Sequence, residues 1–262
     1  TTSLKNNYPI LLIHGLDSSK ETWRKVLPAF QQPAFAMDCR GCGSDPTLLK
    51  DDEFSLDVLM NDVQKCLDDT FAKQKRVILL GHSMGARIAL AYAAKYPERV
   101  ACLIMEDMDV DRRPVSDASF CVPQSDTPFA KQFATKEAAI GALQKANYPQ
   151  DRINRWLNDG RIHQQDDGTW WSGVNPDFRR LCYKHIVDTD DGIAQCQAVQ
   201  CPVHVLVGGS QGTICRESSL ENMVKLMNCR IHRFPDDATH SIHSSHLDQY
   251  MKTMESIVRS LG

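Results

Sequence analysis

Residues 79 to 86 read LLGHSMGA: an unbroken apolar run ends in a serine with a glycine two positions away on each side, and an alanine-rich stretch follows at once. A run with no polar alternation is the pattern of a strand covered on both faces, so this strand must lie inside a sheet with helices packed above and below it. The same rhythm repeats along the chain. Ile10 to Ile13, Ala34 to Met37, Arg76 to Leu80, Ala101 to Met105 and Val203 to Val207 read as strands, with a weaker one at Ile231 to Phe234. Helical periodicity falls on Lys20 to Phe30, Glu53 to Lys73, Met84 to Lys95, Arg216 to Met227 and His243 to Leu261. Strands alternating with helices predict an α/β fold with a mostly parallel sheet.

Between Asp111 and Gln200 the rhythm changes. No strand of comparable strength is visible there, and Thr135 to Gln144 and Asp151 to Leu157 read as amphipathic helices starting at polar caps. The expected organisation is therefore a core from 1–110 and 200–262 with a helical cap inserted at 111–199. A polar, loop-rich stretch from Asn158 to Val174 carries Trp170 and Trp171. With Trp156 they are candidates for lining a substrate pocket, against the blander reading of cap core.

Composition narrows the function classes. The 262 residues carry 30 basic and 33 acidic side chains, a net charge of −3 that gives no field attracting nucleic acid or an anionic membrane. The longest apolar stretch, Ile88 to Ala94, is far shorter than the roughly 18 residues that mark a membrane span. The first residues, TTSLKNNYP, show no signal-peptide pattern. Ten cysteines are scattered in a chain long enough to bury a core without staples, which points to a reducing intracellular compartment, cytoplasm or an organelle entered after loss of a targeting segment. The single CxxC pair, Cys39 and Cys42, has no second pair at zinc spacing, and no metal or organic cofactor is expected.

Gly81-x-Ser83-x-Gly85 fits a nucleophile elbow, a sharp strand-to-helix turn with the serine at its tip. Ser83 would stand at a helix N-terminus, where the exposed N–H groups favour developing negative charge. An oxyanion needs two fixed donors: the N–H of Met84, next after the nucleophile, and one from the loop after strand one, best assigned to Leu16. His14, in that loop, and His82, beside the nucleophile, read as structural and as neighbours of the substrate pocket. The base must follow the serine. His204 and His232 fall inside strands and His163 and His185 in the cap, which leaves His240 as the base and His243 as runner-up. Zinc on His240, His243 and His246 lacks a supporting motif. After Val203 to Val207 the chain reads GGSQGT with no carboxylate, so the acid is sought at the end of the strand after the nucleophile helix, LIMEDMDV, and Asp107 is chosen.

In order, ILLIHGLDSSKETW, MDCRGCGSD, VILLGHSMGARIALAYAAKYPERV, LIMEDMDV and DDATHSIH resemble the α/β-hydrolase superfamily, nearest to the small esterases of the α/β-hydrolase domain protein eleven type and bacterial short-chain esterases. The likeness extends over nearly the whole chain, the cap matching less specifically, and implies an α/β-hydrolase fold. That branch places its acid 24 residues after the serine, which here is Asp107. Two positions depart from its pattern: Arg40-Gly41-Cys42-Gly43, and Thr239 directly before His240. The expected activity is a serine hydrolase cleaving small-molecule esters or thioesters of apolar acyl groups, monomeric or dimeric. The alternatives are a catalytically silent ligand-binding or scaffold protein and, more remotely, acyl-thioesterase-specific or cofactor-free haloperoxidase or lyase chemistry.

Overall fold

The structure, a computed structural model, describes residues 8–113, 129–158, 160–189 and 192–261. The chain enters through β1 (Ile10–Ile13) and β2 (Ala34–Met37), then alternates α1 (Leu56–Phe71), β3 (Val77–His82), α2 (Met84–Lys95) and β4 (Val100–Glu106). After an insertion it returns through β8 (Val203–Val207), α7 (Glu217–Leu226), β9 (Cys229–Arg233), α8 (Ile242–Ser245) and α9 (Leu247–Arg259). The six core strands form one parallel sheet in the order β2-β1-β3-β4-β8-β9.

Successive residues of a strand face opposite sides, and each side here has its own cover. Leu11, Ile13, Val77 and Leu79 join the core beneath α1, α2 and α7, whereas Ile10, Leu12, Ile78 and Leu80 pack with Trp23 and the α9 residues Tyr250, Met254 and Ile257. Helix α1 starts where Ser55 accepts the N–H of Val58 at 3.3 Å, and it buries Leu59, Met60, Val63, Leu67 and Phe71 along one stripe. Both sheet faces are thus apolar, and polar chemistry is left to the strand ends.

The insertion contains β5 (Gln132–Phe133), α3 (Lys136–Lys145), α4 (Gln150–Asn158), β6 (Ile162–Gln164), β7 (Trp170–Ser172), α5 (Pro176–Cys182) and α6 (Ile193–Ala198). Thr135 caps α3 and Asn175 caps α5 through their side-chain oxygens. Leu143, Tyr148, Ile153, Trp156, Ile162 and Val174 form its own small core. Of the segment 111–199, residues 114–128, 159, 190 and 191 lie outside the described residues.

Three sequence expectations change. Lys20 to Phe30 is two short 3₁₀ turns, Lys20–Trp23 and Leu27–Ala29, instead of one helix; Pro28 has no N–H to carry an α-helix onward. The loop-rich stretch from Asn158 to Val174 holds β6 and β7, which with β5 make an antiparallel sheet whose strands are too short for a periodicity to show. The last core strand runs Cys229–Arg233, displaced from Ile231 to Phe234, because its half-exposed edge position does not demand a continuous apolar run. No helix among the described residues is long and apolar enough to cross a membrane.

Candidate active site

Strand β3 delivers Ser83 to the carboxyl edge of the sheet, where the backbone turns at φ 53° and ψ −121° straight into α2. A non-glycine residue in this region costs about 1–3 kcal/mol, a strain that persists only when its surroundings dictate it. They do. A Cβ at Gly81 would stand 2.3 Å from the carbonyl oxygen of Gly85, and one at Gly85 would stand 2.3 Å from that of Ile13. Only hydrogen at both positions lets strand, helix and the β1 end close on the serine.

The Ser83 N–H donates to the carbonyl of Glu106 at 2.9 Å and is committed to the strand pairing. Met84, first residue of α2, has no intrahelical acceptor for its N–H. The β1 loop comes equally near: a Cβ on Gly15 would lie 2.8 Å from Ser83 Cβ, which brings the Leu16 turn beside the serine. His14 is fully buried; its Nδ1–H donates to the Gly15 carbonyl at 2.8 Å, and its Nε2 accepts the Cys39 N–H at 3.0 Å. Burial lowers its pKa, so a neutral imidazole braces the loop.

Asp107 sits just past β4 at φ 48°, fully buried. Its Oδ2 accepts His240 Nδ1–H at 2.7 Å and the Ile214 N–H at 3.1 Å, while Oδ1 accepts the Gly208 N–H at 2.8 Å and the Thr213 hydroxyl at 2.6 Å. Burial alone would raise this carboxyl's pKa; the His240 contact and the other donors outweigh it and hold the group ionised. The loop after β8, which carries no acid, thus supplies donors to an acid from β4. Thr213, Gly208 and Ile214 were not anticipated as parts of the site; the missing late carboxylate was the available signal.

His82 lies between two histidines. Its ring is 4.7 Å from that of His240 and 5.2 Å from that of His243, and its Nε2–H donates to the His240 carbonyl at 3.0 Å. Its Nδ1 finds no hydrogen-bond partner among the described residues, and burial pushes its pKa down to about 3. Ser83 is 8% exposed, and its hydroxyl makes no hydrogen bond among the described residues. Links from nucleophile to base are commonly long before substrate closes the site.

His243, the runner-up base, has a carboxylate of its own. Glu106 Oε1 accepts its Nδ1–H at 2.8 Å and its backbone N–H at 3.0 Å, and Glu106 Oε2 accepts the Tyr250 hydroxyl at 3.2 Å. The Thr22 hydroxyl donates to His243 Nε2 at 2.8 Å. This second relay was not anticipated. It fastens the loop after β1 to α8 beneath the site. Burial would raise the Glu106 pKa, but His243 and His82 bring it down to about 2.

These buried groups set a pH dependence. An unfolded histidine binds a proton below about pH 6.5, whereas folded His82 resists protonation down to about 3. Stability from this group is therefore full above pH 6.5 and falls as the pH drops toward 3, by at most about 1.4 kcal/mol per pH unit. Denaturant unfolding at pH 7.5, 6 and 5 is expected to show that slope, and His82→Gln is expected to reduce it, the remainder coming from His14, His204 and His232, whose pKa values burial also lowers. Glu106 adds a loss of the same sign below pH 4.5.

The remaining expected residues fall in two places. Trp156 is buried against Tyr148 and Trp170 packs half-buried on the insertion core, while Trp171 lines a cavity of about 660 Å³ together with Ser19, Thr22, Arg161 and His243. Ser83 is outside that lining. His204 and His232 pair side by side on the strands, Nδ1 to Nε2 at 2.9 Å. Cys39 and Cys42 are buried, and burial raises both thiol pKa values, so neither is a ready thiolate. Among the described residues no cluster of histidine, cysteine and acidic side chains has the makings of a metal site.

The insertion is fastened to the β1 loop through Asp17, which follows Leu16 at φ 54° and is 6% exposed. Its carboxylate accepts the Tyr148 hydroxyl and Arg179 Nη1, each at 2.6 Å, and its carbonyl accepts Arg161 Nη1 at 2.7 Å.

A family model described as alpha/beta hydrolase fold matches residues 8–247, and the chain belongs to this family. Among curated relatives, ethanol acetyltransferase 1 of Kluyveromyces marxianus is 33% identical over 110 residues, 40% of this chain and 29% of that enzyme. The first relatives it matches are aligned over only 24% to 35% of their own length. A marine microorganism esterase superposes at a TM-score of 0.70, with 18% identity, over 96% of this chain and 95% of that one. The thioesterase domain from the curacin biosynthetic pathway superposes at 0.68, with 18% identity, over 98% and 92%. At such identities the likeness is one of fold.

Proposed function

We propose that the protein is a serine hydrolase that cleaves carboxylic esters or thioesters of small to medium apolar acyl groups through an acyl-enzyme. The observation that carries this reading is the Asp107 carboxylate on His240 Nδ1 at 2.7 Å, with His240 held through His82 beside a serine at positive φ. A carboxylate on Nδ1 fixes the tautomer that leaves Nε2 free to accept a proton.

In the mechanism, Ser83 Oγ attacks the acyl carbonyl carbon as His240 Nε2 takes the hydroxyl proton. The N–H groups of Met84 and Leu16 hold the oxyanion. Collapse expels the alcohol or thiol, which receives the proton from His240. Water then attacks the acyl-serine, His240 again taking the proton and returning it to Ser83. The segment 111–199 acts as the cap, anchored to the oxyanion loop at Asp17.

Esterase and thioesterase neighbours of the same fold support hydrolysis, and the ethanol acetyltransferase relative is consistent with acyl chemistry. Turnover of p-nitrophenyl esters from acetate to decanoate, with matched thioesters, tests the reading. A burst of p-nitrophenol equal to the enzyme concentration is expected for at least one chain length; no release above the solvent rate across both series would contradict it.

A further inference from the structure

Among the described residues other than glycine, positive φ is held by Ser83, Asp107, Asp17 and Asn147. Such backbones persist where surrounding contacts over-determine them, and they gather at working sites. Ser83 and Asp107 are the nucleophile and acid of the hydrolase reading. Asp17 directly follows Leu16, whose N–H finds no backbone acceptor among the described residues, in the loop that Gly15 brings against Ser83.

Asn147 is the left-handed stop of α3. Its N–H donates to the Gln144 carbonyl at 2.9 Å and the Tyr148 N–H to the Leu143 carbonyl at 3.1 Å, a paired closure that ends the helix and fixes the direction of the chain beyond it. Tyr148 is thereby laid on Trp156, ring centroids 4.9 Å apart, with its hydroxyl donating to Asp17 Oδ1. Arg179 reaches Asp17 Oδ2 from α5, whose cap Asn175 also donates its Nδ2–H to the Gly41 carbonyl at 2.8 Å. Arg161, just before β6, donates to the Asp17 carbonyl. Three elements of the insertion converge on the residue peptide-bonded to the oxyanion donor. Asp17, Tyr148 and Arg179 are all buried, so solvent ions screen these contacts little. A contact that only fastened the insertion could sit anywhere along its border; this one sits in the turn that carries the Leu16 N–H.

We propose that Asp17 is a positioning residue of the oxyanion hole, held by Tyr148 and Arg179, so that docking of the insertion sets the aim of the Leu16 N–H toward Ser83. The inference rests on the hydrolase reading and adds a task for the insertion, which governs the rate of the chemistry as well as shaping the pocket.

Tyr148→Phe removes the hydroxyl and keeps the ring on Trp156. Asp17→Asn keeps a residue type that tolerates positive φ and removes the charge that Arg179 meets. Loss of a whole oxyanion donor costs about 10²–10³ in kcat, so a donor present but misaimed is expected to cost about tenfold in each variant. Acylation and deacylation both pass through an oxyanion, so both slow alike and KM is expected to hold. The Ki of an alkyl trifluoromethyl ketone, which adds to Ser83 as an oxyanion, should rise by the factor by which kcat falls. A merely structural contact would instead lower the fraction of competent protein: the p-nitrophenol burst would shrink, while kcat per burst site and the ketone Ki kept their wild-type values. That result, or wild-type kcat and Ki in variants shown by melting to be folded, would overturn the proposal and leave ester hydrolysis standing. If Tyr148→Phe does not melt cooperatively, Asp17→Asn decides. Wild-type protein that releases no p-nitrophenol and binds no ketone would remove the hydrolase reading, and this inference with it.

Discussion

Ser83→Ala is expected to lower kcat on a p-nitrophenyl ester by about 10⁶, because serine, base and acid act as one unit and loss of the nucleophile removes the acyl-enzyme route altogether. A residue of roughly 10³–10⁴ over the solvent reaction should survive from the oxyanion donors and substrate binding. The variant keeps its fold, since the elbow is imposed by the close approaches at Gly81 and Gly85 and not by the hydroxyl, which makes no hydrogen bond among the described residues. An unchanged melting curve together with the collapsed rate is the expected pair of results. Turnover kept in Ser83→Ala but lost in Thr22→Val would move the chemistry to the Thr22, His243 and Glu106 relay, the other hydroxyl–imidazole–carboxylate series beside this site.

Asp107→Asn is expected to cost about 10⁴ in kcat, through the imidazole tautomer. The direction follows from the donors on Oδ1. Gly208 N–H and the Thr213 hydroxyl both point at Oδ1, so an asparagine keeps its carbonyl oxygen there and turns its NH₂ toward His240. An NH₂ facing Nδ1 selects the imidazole with its proton on Nε2, where it cannot accept the serine proton. KM should change little, because no part of Asp107 is exposed to a ligand. Circular dichroism alongside steady-state kinetics checks it; a variant within tenfold of the wild-type kcat would mean that Asp107 does not set the tautomer.

Much of this was legible in the sequence because the governing features are local. Strands with both faces covered spell continuous apolar runs, and β1 and β8 fall where those runs lie. The elbow is a five-residue signal. Asp107 could be chosen because a gap after Val207 is itself informative, and the structure places it within hydrogen-bond reach of His240. What stayed hidden depends on residues far apart in the chain. Glu106 looked like one acid among several at a strand end, and nothing local says that it faces His243 and Tyr250 on the α9 side. Thr213 and Asp17 are polar loop residues until Asp107 in one case, and Tyr148 with Arg179 in the other, come to them through space. The three strands of the insertion are too short to carry a period of two.

The central claim, that Ser83 is made nucleophilic by His240 and Asp107, is tested most directly by reaction with a fluorophosphonate followed by peptide mapping. The account expects one label per folded molecule, carried on Ser83, and no label in His240→Ala protein that melts like the wild type. Folded wild-type protein that takes no label, or takes it at another residue, would contradict it.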